Sequence, residues 1–107
     1  MRVFTCKACA KIHVEAGNVL FHFSTPEKLE IYLEYLESID VSYYATVNRK
    51  KGLKKVIILP MGDLPVNLAF TEQEFELLKE IIQNYLATDR SKKAFVTSEE
   101  LQQLNLN

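Results

Sequence analysis

The chain has 107 residues, 48% of them hydrophobic and 25% charged, with a formal net charge of −1. That length suits one domain whose core needs neither disulfides nor a metal for stability. The near-neutral charge gives no global reason for binding nucleic acid or an anionic membrane. After Met1 the run Val3-Phe4 is too short for a signal segment or a membrane span, so a cytoplasmic location is expected.

Cys6 and Cys9 lie in the first informative stretch, CKACAKIH, which ends at His13. Without an export signal two cysteines stay reduced, which leaves three readings: a metal site, a redox pair or plain thiols. Residues 11–24, KIHVEAGNVLFHFS, read as two strands joined at Gly17-Asn18, because Gly at the first central position suits a type II′ turn. The register sets Ala16 opposite Val19, Val14 opposite Phe21 and Ile12 opposite Phe23 on one face. On the other, Glu15 meets Leu20 and His13 meets His22.

The next segment, STPEKLEIYLEYLESI, carries Leu29, Tyr32, Leu33, Leu36 and Ile39 at helical spacing, after a Thr25 N-cap and with Pro26 at the first helical position. Its outer side, Glu27, Glu30, Glu34 and Glu37, reads as a solvated face. Residues 42–48, SYYATVN, and 53–60, LKKVIILP, are rich in β-branched and aromatic types and flank the loop RKKG, which predicts a second hairpin. A fifth strand is expected at VNLAF, residues 66–70.

Thr71-Glu72-Gln73-Glu74 is a capping box with Phe70 and Phe75 as its hydrophobic staple. The helix it opens runs to about Leu86 and buries Phe75, Leu78, Ile81, Ile82 and Tyr85. The order ββαβββα implies an α+β fold, a mostly antiparallel sheet with two helices packed on one face and the other face open. Residues 1–87 form this domain, and 88–107 read as a polar linker, TDRSKK, then a short C-terminal helix or tail from Thr97.

Cys6-x-x-Cys9, Ile12-x-Val14, Gly17-Asn18 and the later LAFTEQEFELLKEII together resemble a family of small uncharacterised Bacteroidetes proteins, over roughly residues 6 to 87. The resemblance implies a compact domain with paired cysteines ahead of a hairpin, and it carries no function. It also implies a glycine after the second cysteine and an aromatic residue before the turn. Ala10 and Ala16 stand there instead, a departure that counts against a tight zinc knuckle.

His13 and His22, facing each other across the hairpin, make with Cys6 and Cys9 a Cys2His2 donor set suited to zinc. The reach counts against it: four extended residues from Cys9 to His13 cover about 13 Å. The chain has to bend near Ala10 or Lys11, where no Gly or Pro enforces a bend. Inert thiols beside a surface histidine pair are the plainer reading, and a metal shared between two copies through Cys6 and Cys9 is a third. A thioredoxin-type pair is disfavoured, because that motif opens a helix and here a strand follows.

Arg49, Lys50, Lys51, Lys54 and Lys55 cluster around the expected second loop, close to Tyr43 and Tyr44, a mixture used for phosphate contact and base stacking. Solubility and edge-strand protection account for the same residues, and a chain of net charge −1 is not expected to bind nucleic acid. There is no Gly-rich phosphate loop, nucleophile elbow or metalloprotease helix, and His13 with Glu15 lacks a nucleophile, so no enzyme is expected. The leading expectation is a non-enzymatic interaction or adaptor module. It would use the sheet face opposite the helices, where His13, His22, Leu20, Lys11 and Tyr43 or Tyr44 would lie, with a second copy as the simplest partner. The alternative is a zinc-binding regulatory module.

Overall fold

Alternating side chains in the first 23 residues build a three-stranded antiparallel sheet of β1 (Arg2–Thr5), β2 (Ile12–Ala16) and β3 (Val19–Phe23), in spatial order β1-β2-β3. The computed structural model describes the backbone of residues 1–106 and the side chains of residues 1–89. The expected register of β2 with β3 is observed at all five pairs. Gly17 takes φ 64°, the left-handed value that the turn requires and that costs glycine nothing.

Helices α1 (Pro26–Glu37) and α3 (Glu72–Leu106) pack on one face of this sheet, α1 over β3 and α3 over β1. Thr25 caps α1 by accepting from the Lys28 N–H, as its spacing predicts. At α3 the capping box is reciprocal: Thr71 N–H donates to Glu74 Oε1 at 2.8 Å and Glu74 N–H to Thr71 Oγ1 at 3.0 Å. Phe75, Leu29, Leu36, Leu78, Ile82 and Val14 are fully buried between the layers. Side chains of this size each contribute roughly 1.5–3 kcal/mol on burial.

The fold is α+β with antiparallel pairing throughout, but two elements depart from the expected order. Arg2–Thr5 is an additional strand, held to α3 by a 2.6 Å hydrogen bond between Thr5 Oγ1 and the Tyr85 hydroxyl. Residues 42–48, read as a strand, lie in helix α2 (Val41–Lys50). Asp40 caps α2 by accepting from the Tyr43 N–H at 3.1 Å, and Ala45 and Asn48 turn inward at helical spacing. Capping and inward spacing thus override the β propensity of Tyr, Thr and Val.

Without that strand, β4 (Ile57–Pro60) pairs only with β5 (Asn67–Phe70), forming a second, two-stranded sheet instead of extending the first. Helix α2 packs on β4, and the buried Asn48 amide ties them by donating to the Val56 carbonyl. Residues 88–106 of the expected linker and tail fall within the span of α3, almost wholly where side chains are not described, and Asn107 lies outside the described residues. No helix among the described residues is long and apolar enough to cross a membrane.

Candidate metal centre

The chain between β1 and β2 folds back on itself at the cysteines. Cys6 N–H donates to the Lys11 carbonyl at 2.9 Å, and Ala10 N–H to the Cys6 carbonyl at 3.0 Å. Ala10 takes φ 56°, a left-handed conformation that costs a residue with a Cβ roughly 1–2 kcal/mol. This is the bend that an extended reading of the segment lacks. It carries Cys9 back over β2, so that its sulfur lies 3.2 Å from His13 Nε2.

The sulfurs of Cys6 and Cys9 and a ring nitrogen of His13 all lie within 4.8 Å of one another. A tetrahedral zinc site needs separations of about 3.5–3.8 Å, given its Zn–S and Zn–N lengths, so shifts of roughly an ångström close the triangle. Cys6 is half-buried, Cys9 exposed and His13 only 7% exposed, so the donors bridge from the sheet surface to solvent. The Cys9 thiol and the backbone N–H groups of Cys9 and Ala8 hold the Cys6 thiol below its ordinary value of 9.0. Backbone N–H groups directed at a cysteine sulfur favour the thiolate, the form that binds metal.

His22 is not a fourth donor to this triangle. Its Nδ1 lies 2.8 Å from His13 Nδ1, so it contacts the nitrogen of His13 that faces away from Cys9. In the tautomer that a metal would require, His13 donates its Nδ1 proton to His22 and keeps the Nε2 lone pair toward Cys9, an arrangement that both contacts accommodate. An imidazole whose second nitrogen is held in this way is the usual arrangement of a metal-ligating histidine. The expected Cys2His2 set thus becomes Cys6, Cys9 and His13, with His22 as the group that orients His13.

The profile of one protein family matches residues 2–107. The chain belongs to that family, the family of unknown function DUF6686. No curated protein and no solved structure matches it. Membership therefore places the whole domain, cysteine turn included, within one family and brings no activity with it.

Phe4, which the sequence pattern did not assign to the site, lies against it. Its ring stacks on His13 at 5.2 Å with an interplanar angle of 24°, and the Arg2 guanidinium lies 4.4 Å above the Phe4 ring. Arg2 also pairs with Glu15 at 3.6 Å. Phe4, His22 and the cysteine turn cover His13, so the face opposite the helices is filled at its centre and not open along its length. The alternation of Arg2-Val3-Phe4-Thr5 was the available signal.

The other expected residues sit elsewhere. Tyr43 and Tyr44 are in the first turns of α2 with their rings edge to face at 5.5 Å, not on the sheet face. Arg49 and Lys50 occupy its last turn, where cations complement the helix dipole. Arg49 pairs with Glu72, and Lys55 with Glu74 at 3.3 Å, which leaves Lys50, Lys51 and Lys54 as the cations of the cluster without a carboxylate partner among the described residues. The structure does not bring the tyrosines and the basic residues onto one loop.

Proposed function

We propose that this chain is a non-enzymatic, zinc-binding regulatory module that holds one ion through Cys6, Cys9 and His13. The observation that carries this reading is the chain of contacts Cys9–His13–His22, in which a nearly buried histidine offers one nitrogen to the cysteines while the other is fixed by a second histidine. Inert thiols give no reason for a strained Ala10 or for a histidine so oriented. The role would be exercised in the cytoplasm, in a chain that resembles small Bacteroidetes proteins with C-x-x-C before a hairpin. Because the ion would join the turn to β2, its binding energy is local folding energy. A chelator is expected to raise hydrogen exchange in residues 1–24 of the metal-loaded protein while α1 and α3 stay protected, and Cys9→Ser to do the same without chelator. Unchanged exchange in both would sink the reading.

A second reading, a protein-interaction module, is favoured by a different surface. Tyr35, Tyr43 and Tyr44, exposed at 43%, 60% and 41%, line a hollow of about 490 Å³ together with Ile39, Leu59 and Pro60 and the polar Ser38 and Asp40. Exposed tyrosines among mixed apolar and polar side chains have the composition of a contact surface, with a second copy as the simplest occupant. Sedimentation of the wild type against Tyr43→Ser tests it, and identical monomer mass at high micromolar concentration contradicts it.

A further inference from the structure

We infer that the metal held by Cys6, Cys9 and His13 keeps its outward coordination position for a ligand from outside the chain, and that this ligand is a thiolate. The inference rests on the metal reading above. Zinc takes four donors, and among the described residues the chain brings three together. The one residue expected to supply the fourth is committed elsewhere. The two nitrogens of an imidazole point away from each other, so His22, seated 2.8 Å from His13 Nδ1, lies on the far side of the ring from Cys9. To reach the ion it would have to abandon that hydrogen bond and its edge-on packing, 4.7 Å between ring centroids. Structural zinc sites are closed by four protein donors, whereas three donors and an accessible fourth position characterise sites that exchange ligands.

Accessibility and charge point to the kind of ligand. His13 closes the inner side of the site and exposed Cys9 the outer rim, so the remaining vertex faces solvent. Two thiolates neutralise a divalent ion, and they also acidify a bound water less than a three-histidine site would. A stronger and softer donor therefore displaces water there, and thiolate is the soft donor that zinc prefers. A third thiolate leaves the centre with one negative charge. Lys7 lies within the cysteine turn and Lys11 directly after it; both are exposed and lack a carboxylate partner among the described residues, and these two cations would compensate that charge. In the exchange the incoming thiol releases its proton to solvent, its sulfur takes the vertex and water leaves; no electrons are transferred.

Cobalt(II) in place of zinc makes the site visible, because its d–d bands report coordination and its near-ultraviolet sulfur-to-metal band scales with the number of bound thiolates. The full chain is loaded with one equivalent and titrated with 2-mercaptoethanol, and in a second arm with a short peptide bearing one cysteine. The expected result is a saturable shift of the d–d bands and a rise of about 1.5-fold in the charge-transfer band, as two sulfurs become three. Saturation by the free thiol assigns a small-molecule source, and saturation by the peptide alone a cysteine on a protein. Bands unmoved by either thiol, loss of cobalt to the thiol, or metal-dependent dimers that ignore it would each overturn the open vertex while leaving metal binding standing. A chain that takes up no cobalt overturns the metal reading itself.

Discussion

His13 spends both ring nitrogens, one on Cys9 and one on His22, and stacks a ring face on Phe4. Removing either histidine therefore has different consequences. His13→Ala takes away a donor and should abolish binding of one equivalent of zinc in a calorimetric titration. His22→Ala should keep the stoichiometry and weaken the affinity about 10–100-fold, the usual effect of losing a group that orients a ligand. Equal losses in the two variants would make His22 a ligand. The turn that delivers Cys9 depends on Ala10 at φ 56°. Ala10→Gly relieves roughly 1–2 kcal/mol of left-handed strain but adds about 0.4–1 kcal/mol of freedom to the unfolded chain, for a net gain of about 0.5–1 kcal/mol in urea unfolding of the metal-free protein. The histidine pairing was legible, because a two-residue turn at Gly17-Asn18 dictates the register. The position of Cys9 was not, because an alanine in the left-handed region leaves no mark in residue type.

Helix α2 shows where composition and capping compete. SYYATV favours a strand locally, yet Asp40 caps it and Val41, Ala45 and Asn48 fall at helical spacing. The RKKG stretch, read as a hairpin loop, is instead a helix C-cap: Gly52 N–H donates to the Arg49 carbonyl and Leu53 N–H to the Asn48 carbonyl, with Gly52 at φ 83°. Gly52→Ala should lower stability by about 0.5–1 kcal/mol with an unchanged urea m-value, the left-handed strain less the freedom the unfolded chain loses, since a Cβ there meets nothing within 4 Å. The capping box of α3 was legible because its hydrogen bonds need specific residue types three apart. It carries a pH dependence. The Thr71 N–H, with Lys55, holds the Glu74 carboxyl below its ordinary value of 4.5. The folded state thus favours ionised Glu74, and this stabilisation is complete above pH 4.5 and is lost as pH falls through the depressed value. Glu74→Gln should flatten that acid limb of the stability profile, and an unchanged limb would remove Glu74 as its source.

At the scale of the whole molecule, two helices cover the three-stranded sheet on one face, and the cysteine turn closes over the centre of the other. The first half of that arrangement was readable from periodicity: Ile12, Val14 and Ala16 alternate, and Leu29, Leu33, Leu36, Phe75, Leu78 and Ile82 recur at helical spacing, and all are buried. The division into two sheets was not, because it follows from α2 taking the place of a strand, a tertiary outcome that local propensity does not encode. The far face depends on the same kind of outcome, since β1 has only four residues and is held by α3 through Thr5 and Tyr85, eighty positions apart. The account stands on an ion joining that turn to β2. The measurement that bears on it most directly is elemental analysis of the full chain purified without added metal, wild type beside Cys9→Ser. The account predicts about one equivalent of zinc per wild-type chain and almost none in the variant; less than roughly a tenth of an equivalent of zinc, iron or copper in the folded wild type would contradict it.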